Sequence, residues 1–453
     1  MPEPAIERVS ASDLTTLVTD VGAAPMQVGA VLLLDGCPEF DTAQLERTIG
    51  ARLGSIPRLR QRLLTVPFGC GRPIWVDDRD FDLSRHLTTV HCPRPRDRDA
   101  VLALAAELVT TRLDRNRPLW SATLVTGLPS GAGAIVVVFH HVLADGIGGL
   151  AMLADLVDGT GGPVRAPAPL RPAPSTMALA LDAARSRLAA LLRLPATLRR
   201  VPGALASIRP RSAPHAAPCS LNRPTGARRQ LAHVSVPLQP VIDAGHAQGA
   251  TVNDVLLAAI TAAMADVLRG RDESVERFVV SIPVSHRQAT TVAELGNSVS
   301  AVPVELPGLG DPADRLRRIA DITREAKRAS IVGSADLVLG PVFRLLARVR
   351  LFGWFIDRQR MVHTFVTNLR GPSEHLHLGG TTVTEVLPVA VVPGNVTVSF
   401  AVLSYAGTIG VTIVADPDAC VDRAVLEAAL GRRLAELAPS GSDPTMPDAT
   451  GQR

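Results

Sequence analysis

The sequence feature that most restricts the fold is a short apolar run that ends in two histidines. Residues 134–139 read AIVVVF, and His140 and His141 follow directly. A continuous apolar run of this length is typical of a strand in the centre of a sheet, buried on both faces. Neighbouring side chains on a strand point to opposite faces, so only one of the two histidines can face a given cavity if both extend it. The other must face the opposite side or brace the turn that follows.

The composition of the chain changes near its middle. With 453 residues the chain is too long for one ordinary core. Residues 159–224 are rich in Pro, Gly, Ala and Arg, which is typical of a linker. We therefore predict an N-terminal domain at 1–160, a linker at 161–224, a C-terminal domain at 225–440 and a disordered tail at 441–453.

Hydrophobic spacing predicts the same mixture of strands and helices on both sides of the linker. The segments LWSATLVTGL and AIVVVFHH are predicted strands joined by the turn PSGAG, and a hairpin is predicted around Ala406–Gly407. Helical spacing is found in DAVLALAAELVTTRL, ATVNDVLLAAITAAMADVLRG and PADRLRRIADITREAKRA. This alternation predicts an α/β fold.

Composition excludes several classes of function. The net charge is only +4 and aromatic residues make up 3% of the chain, so a nucleic-acid partner is not expected. The five cysteines are scattered and lack CxxC spacing, which predicts no disulfide framework, no metal site and a reducing cytoplasm. The N-terminus has no signal-peptide pattern, and no run of 18 apolar residues predicts a spanning helix.

Two basic segments with apolar neighbours are candidates for contact with a lipid surface. A predicted helix at Met177–Arg193 lies in a region with eight arginines and only one acid, Asp182. The second segment, Val342–Phe355, places Arg344 and Arg348 one turn apart beside four aromatic residues. A basic amphipathic helix can lie at an anionic lipid interface, but it can equally be a linker helix with solvated arginines.

The segment HHVLADG has the residue types of a general base with its orientation fixed nearby. Imidazole has a pKa near neutrality and can remove a proton from an alcohol as the alcohol attacks a carbonyl. Asp145 can stabilise the turn or pair with a cation, and Gly146 permits the bend. No serine or cysteine nucleophile is then required.

Other interpretations of this segment stay open on its residues alone. Two adjacent histidines at a strand end can be hydrogen-bonded core residues. A metal site is disfavoured, because no third ligand lies nearby and strand neighbours diverge. His140 and Asp145 also have the spacing found in glycerol-phosphate acyltransferases.

Further motifs in the expected order give a resemblance that covers nearly the whole chain. HHVLADG resembles the HHxxxDG motif of the bacterial wax ester synthase/diacylglycerol acyltransferase family. LDRNRPLW, which contains Pro118, Leu119 and Trp120, is similar to the PLW segment of that family. ATVNDVLLAAI is similar to its ND segment. HHxxxDG alone is shared with nonribosomal condensation domains, and the combination with the other two segments is much more specific.

The resemblance implies two chloramphenicol-acetyltransferase-like domains, with mixed sheets, flanking helices and an active-site channel between them. It implies acyl transfer from acyl-CoA, a co-substrate, to a hydroxyl, with no bound cofactor. The product would be triacylglycerol from diacylglycerol, or wax ester from a long-chain alcohol. By the same resemblance His141 is the general base, His140 supports it, Asp145 holds the turn and Gly146 allows the bend.

Roles for Asn253, for the PLW segment and for Arg287 follow less directly. Asn253 is a candidate for polarising the thioester carbonyl, and the alternative is a helix N-cap. Pro118, Leu119 and Trp120 are expected to shape the fold or a substrate channel. Arg287 is a candidate partner of Asp145 or of CoA phosphates, with a plain surface arginine as the alternative.

One segment departs from the family pattern. VTNLRGPSEHL keeps Asn368, Gly371 and Pro372, but Leu369 and Arg370 stand where the family has a different central pair. We expect Asn368 and Gly371 near the channel, so the departure bears on substrate preference.

Two other functions remain as alternatives to neutral-lipid synthesis. One is an acyltransferase for a specialised alcohol or amine, and the other is a non-catalytic lipid-binding relative, which the intact motif disfavours. Because diacylglycerol and long alcohols reside in lipid, we expect a cytoplasmic protein in peripheral contact with the inner membrane face or lipid droplets.

Overall fold

The computed structural model describes residues 6–36, 42–53, 56–144, 146–158, 170–207, 215–285, 299–330 and 336–439. The elements before the long connecting helix are β1 (Glu7–Arg8), α1 (Ala11–Thr19), β2 (Gln27–Leu34), α2 (Thr42–Arg52), β3 (Gln61–Leu64), β4 (Ile74–Asp77), β5 (Leu87–His91), α3 (Arg98–Thr110), β6 (Trp120–Thr126), β7 (Gly133–His140) and α4 (Gly146–Leu156). The connecting helix is α5 (Thr176–Ser207). The remaining elements are β8 (Gln230–Pro237), α6 (Leu238–Ala247), α7 (Val252–Arg269), β9 (Arg277–Ser285), β10 (Val299–Pro307), α8 (Pro312–Ser330), α9 (Asp336–Arg348), α10 (Phe352–Ile356), β11 (Thr364–Arg370), β12 (His377–Leu378), β13 (Thr381–Val389), β14 (Val398–Tyr405), β15 (Thr408–Ala415) and α11 (Arg423–Leu437).

Two six-stranded sheets form the framework, each with parallel and antiparallel pairs. The first has the order β12-β13-β2-β7-β6-β5, in which only β5 and β6 run parallel. The second has the order β10-β9-β11-β14-β15-β8, in which β11 is parallel to both β9 and β14. A small third sheet joins β1, β4 and β3. The predicted α/β class with mixed sheets is confirmed.

The predicted central strand β7 is interior to the first sheet and buried on both faces. Ile135, Val137 and Phe139 belong to one core cluster on one face of the sheet. Val136 and Val138 belong to another cluster on the opposite face, together with residues of α3. The alternation of a strand therefore explains why this run has no polar residue.

Helix α7 is the centre of the C-terminal core. Fourteen of its residues are buried, and they pack against the second sheet and against α8 and α11. The predicted hairpin is also confirmed, since β14 and β15 pair antiparallel on either side of Ala406 and Gly407. Ala406 and Gly407 both have positive φ, as a tight hairpin turn requires.

The C-terminal half of the chain contributes two strands to the first sheet. The predicted boundaries place residues 377–389 in the C-terminal range, whereas hydrogen bonding places β12 and β13 in the first sheet. Leu231 and Val414, from the second sheet, also lie in the core cluster that covers one face of β7. The N-terminal half therefore does not complete its own sheet or core, whereas the main C-terminal core cluster contains only residues between Leu221 and Ala438.

The connecting helix is longer than the sequence predicts. We expect a helix at Met177–Arg193, but α5 continues past Pro195 to Ser207, because the Leu, Ala and Arg residues around that proline are strong helix formers. Within the described residues no single helix is long and apolar enough to span a membrane. Helices α6 and α7 together pass the same test, but they are bent by 96° and α7 lies in the core. The predicted tail at 441–453 lies outside the described residues.

Candidate active site

His140 ends β7 and braces the turn that follows. Its side chain is buried, and its Nδ1 accepts a hydrogen bond of 3.0 Å from the backbone N–H of Val142. The ring proton must therefore be on Nε2, which donates to Asp20 Oδ2 at 3.3 Å. Both ring nitrogens of His140 are occupied within the protein.

Asp20 is a buried carboxylate that connects several parts of the site. Oδ1 accepts from the backbone N–H of Met26 at 3.0 Å, and Oδ2 accepts from Arg115 at 2.6 Å. Arg112 adds a longer contact of 3.4 Å. Burial alone would raise the pKa of Asp20, but the hydrogen bonds from His140, Met26 and Arg115 outweigh it and hold that pKa well below its usual range. Asp20 is therefore ionised near neutral pH.

His141 is the first residue beyond β7. Its backbone N–H donates to Met26 O at 2.9 Å, so Met26 is hydrogen-bonded to both Asp20 and the second histidine. The backbone N–H of Leu143 donates to His140 O at 2.9 Å and closes the turn. The side chain of His141 is half-buried. Asp145, which was expected to hold the turn, lies outside the described residues, as does its candidate partner Arg287.

Helix α4 begins at Gly146 and lies tightly against β7. A Cβ atom on Gly149 would lie 2.4 Å from Cζ of Phe139, well inside van der Waals contact. Gly149 therefore lets α4 approach the strand that carries His140. This confirms the close approach expected from the small residues of the segment.

The PLW segment supports the histidine strand from its other side. The carbonyl of Leu119 accepts from the backbone N–H of His140 at 3.0 Å. Leu119 and Trp120 are buried in the core, and Trp120 stacks on the ring of His86 with centroids 4.7 Å apart. Pro118 directly precedes this pair. The structure thus shows Leu119 and Trp120 as core residues that position β7, and a contact of Pro118, Leu119 or Trp120 with substrate stays a prediction.

Asn253 and Asn368 are brought together although they are 115 positions apart. Asn253 lies in the first turn of α7 and Asn368 on β11, and Asn368 Nδ2 donates to Asn253 Oδ1 at 3.2 Å. The alternative of an Asn253 N-cap is wrong. The cap is Thr251, whose hydroxyl and backbone N–H both bond to Asp254 in a capping box.

Asp254 fixes the start of α7 from a second direction. Its Oδ1 accepts a hydrogen bond of 2.6 Å from the buried hydroxyl of Thr323 on α8. The first turn of α7, and with it Asn253, is therefore tied to the neighbouring helix. The aspartate of the ND segment has a structural role that the sequence did not reveal.

The segment that departs from the family pattern lies between the two halves. Gly371 approaches the backbone closely, since a Cβ there would lie 2.5 Å from Ser404 O. Leu369 packs against the core cluster that contains Phe139 and Leu143. The substitution at 369 therefore contacts the part of the core that carries the histidine turn.

Comparison with known proteins agrees with this geometry. Residues 9–256 match the model of the wax ester synthase/diacylglycerol acyltransferase catalytic domain. Residues 295–438 match the model of the C-terminal domain of the same family. The chain belongs to the wax ester synthase/diacylglycerol acyltransferase family.

Relatives in this family align over most of their length. Proteins from two strains of Mycobacterium tuberculosis, each named a probable diacylglycerol O-acyltransferase, are each 30% identical over 436 residues, which is 91% of both chains. The wax ester synthase/diacylglycerol acyltransferase from Marinobacter aquaeolei VT8 has a similar structure, with a TM-score of 0.68 at 21% identity over 95% of this chain and 98% of that one. The first condensation domain of the CDA synthetase gives 0.61 at 19% identity over 96% and 97%. The two-domain acyltransferase fold implied by the motifs is confirmed.

In this member of the wax ester synthase/diacylglycerol acyltransferase family, the role of Asp20 as the partner of His140 was not predicted from the sequence. The residue lies between α1 and β2, 120 positions from His140, and no local motif marks it. The one available signal was the pair Arg112 and Arg115, a few residues before Pro118, because two cations near a motif suggest a carboxylate partner.

Proposed function

We propose that this chain is an acyl-CoA-dependent O-acyltransferase that forms triacylglycerol from diacylglycerol, with wax ester from long-chain alcohols as a second product. The observation that carries the proposal is the state of His140. Val142 and Asp20 occupy both of its ring nitrogens, so His140 does not serve as the base. The general base of the pair is then His141, on a turn fixed by Met26 and His140.

In the proposed reaction His141 removes the proton of the acceptor hydroxyl as its oxygen attacks the thioester carbonyl carbon. The new C–O bond gives a tetrahedral oxyanion. Collapse of that intermediate breaks the C–S bond, and the CoA thiolate takes the proton from the imidazolium of His141. The acyl group passes directly to the acceptor, so no covalent enzyme intermediate forms. We propose no metal or bound cofactor for this step.

Asn253 is the proposed donor to the oxyanion. Because its Oδ1 accepts from Asn368, the amide of Asn253 is oriented and its NH₂ group supplies the donor. Oriented amide donors of this kind typically contribute 10²–10³ in kcat, about 3–4 kcal/mol. Asn368 is then a positioning residue, and Gly371 keeps β11 close to the neighbouring strand.

The acceptor substrates reside in lipid, so we propose peripheral contact with the inner membrane face or with lipid droplets, on the cytoplasmic side. The names of the mycobacterial relatives support diacylglycerol as the acceptor. A structural neighbour, the starter condensation domain of rhizomide synthetase, is described in complex with C8-CoA, which supports an acyl-CoA donor in this fold.

The test is CoA release by the purified protein with palmitoyl-CoA and either diacylglycerol or hexadecanol. We expect thiol release with an ester product, reduced by roughly 10²–10⁴ in His141→Ala, the usual contribution of a general base. His246→Ala, an exposed histidine on α6, is the matched control and keeps the wild-type rate. Ester formation at the wild-type rate in His141→Ala would refute the mechanism. If neither acceptor gives ester while CoA still binds, the specialised-acceptor function replaces this one.

A further inference from the structure

The exposed hydrophobic side chains of the described residues are concentrated in one region. Eleven of the sixteen large exposed ones lie on α5, on α9–α10 with its connecting turn, and at Phe68. Helices α5 and α9 contact each other, so these elements are neighbours on the surface. Sixteen scattered residues would need no explanation, but a cluster of this kind indicates a binding surface.

Helix α5 is amphipathic with its apolar face outward. The exposed residues have spacings of four, seven, three and one positions, which place them on one side of a helix: Met177, Leu181, Leu188, Leu191 and Leu192. The opposite side packs on the protein through Leu179 and Ala183, which are buried. A surface helix with solvated polar residues would show the reverse pattern.

Helix α9 continues this surface. Val342, Leu345 and Val349 are exposed at spacings of three and four, and so share one side of the helix. Arg344 lies on the other side and donates to Thr15 Oγ1 at 2.7 Å, which ties α9 to α1. The expectation that Arg344 and Arg348 could together face a lipid surface is therefore wrong for Arg344.

Two exposed aromatic side chains flank the helices. Trp354 on α10 is 62% exposed, and the guanidinium of Arg358 lies 5.3 Å from the centre of its ring. Phe68 is fully exposed, and its loop is held beside α5 by a bond of 2.7 Å from Arg187 to Gly69 O. Amphipathic rings of tryptophan are enriched at membrane–water interfaces.

The charge of this region is positive. Arg185, Arg348 and Arg350 are exposed, whereas Asp182 is paired with Arg8 at 2.6 Å. A second copy docked face to face would bring arginine against arginine. An anionic lipid surface complements both the apolar face and the arginines.

We propose that α5, α9, α10 and the loop carrying Phe68 form one docking face for an anionic lipid surface. This face inserts its leucines, Trp354 and Phe68 into the interfacial layer, with the arginines at the headgroups. The choice of lipid as occupant rests on the proposed function, since the acceptor resides there. Binding to vesicles is measured without turnover, so its failure is distinguishable from a failure of acyl transfer.

The test uses the full-length protein and vesicles of phosphatidylcholine with or without phosphatidylglycerol. Trp75 and Trp120 are buried, so a change in tryptophan fluorescence on adding vesicles reports on Trp354. We expect a blue shift and quenching by brominated phospholipid, both lost in Trp354→Phe. The triple variant Leu188→Gln, Leu191→Gln and Leu192→Gln should bind both vesicle types at least tenfold more weakly. Arg185→Gln should weaken binding about fivefold on phosphatidylglycerol vesicles only, equivalent to about 1 kcal/mol.

The matched control is the double variant Val421→Gln and Val425→Gln, which removes two exposed apolar residues outside this face and should bind as wild type does. Turnover of a water-soluble short-chain alcohol should be unchanged in all of these variants, which shows that the site is intact. Equal vesicle binding by the triple variant and the control would overturn the proposal. So would a wild-type dimer, seen by light scattering, that Leu345→Gln converts to a monomer.

Discussion

The contact between Gly149 and Phe139 gives a quantitative test of how the histidine turn is built. In Gly149→Ala the new Cβ would lie 2.4 Å from Cζ of Phe139 and 3.2 and 3.3 Å from the adjoining Cε atoms. The phenyl ring is buried between α4 and the sheet, so either the ring or the helix must move by about 1 Å. Because α4 directly follows the turn, a shift of the helix moves His141 as well.

The expected magnitude follows from two opposing terms. Overpacking of a core costs about 1–3 kcal/mol, while alanine gains about 1 kcal/mol over glycine in a helix. We expect a net loss of up to about 2 kcal/mol in the free energy of unfolding, measured by denaturant titration. A misplacement of about 1 Å in a catalytic group can lower turnover by about 10²-fold, and kcat for ester formation measures that effect.

Two further variants make the reasoning refutable. Gly431→Ala is the matched control, since its Cβ would meet only Val234 Cγ1 at 4.0 Å, and it should stabilise the protein by up to about 1 kcal/mol. Phe139→Leu in the Gly149→Ala background should restore part of both the stability and the turnover. If Gly149→Ala raises stability as Gly431→Ala does and keeps full turnover, close packing of α4 does not position the turn.

Three further predictions concern polar groups. Asp20→Asn leaves one oxygen acceptor, so its NH₂ group faces either the Nε2–H of His140 or the backbone N–H of Met26, and the anion beside Arg115 is lost. We expect a loss of about 2–3 kcal/mol in unfolding free energy and a lower kcat. Because the pKa of Asp20 is held low in the folded protein, ionised Asp20 contributes its full share of stability above the ordinary pKa of 3.8. This contribution is lost as the pH falls through the folded pKa. A difference in unfolding free energy between wild type and Asp20→Asn that stays constant in acid would contradict this. Thr323→Val should destabilise the protein by about 1–2 kcal/mol through Asp254. Thr408→Val, which removes the hydroxyl of an exposed threonine at the start of β15, should cost less, and equal losses would show that the Asp254 contact adds nothing special. Burial and, to a lesser degree, Arg98 lower the pKa of His233 from 6.5 to about 3. Between these two pH values the unfolded state binds a proton that the folded state does not, so the free energy of unfolding falls as the pH drops from about 6.5 to about 3. The stability advantage of wild type over His233→Gln should shrink across that range, and unfolding midpoints measured against pH will test this.

Much of the fold follows from local pattern. Apolar residues recur at the spacing of a strand or a helix in β7, in the hairpin of β14 and β15, and in the long helix α7. Each of these elements can therefore be recognised from its own residues. The pairing of β13 with β2 was not predictable in the same way, because it joins residues about 350 positions apart through backbone groups that every residue has. The spacing of residue types along the sequence does not indicate such a long-range pairing.

In the candidate active site, too, some residues could be predicted from the sequence and others only from the folded structure. The two histidines stand out by residue type at the end of an apolar run, whereas the PLW segment and Asn253 were found through the resemblance to the family. Asp20 was missed, since an aspartate after a helix is common and only the folded chain brings it to His140. An N-cap was the alternative role for Asn253, and the structure excludes it because Thr251 forms a capping box with Asp254, three residues further on.

The exchange of β13 into the first sheet has a consequence for how the protein is made. Strand β2 emerges from the ribosome early, but its partner β13 ends at Val389, so the edge of β2 stays open until most of the chain is synthesised. The pairing that completes the sheet closes a loop of more than 300 residues, which is slow to form. During that interval an apolar strand edge is available to other chains. We therefore expect fragments that end before β13 to aggregate, and co-expression of residues 215–453 in trans to be needed to complete the sheet beside the histidine strand.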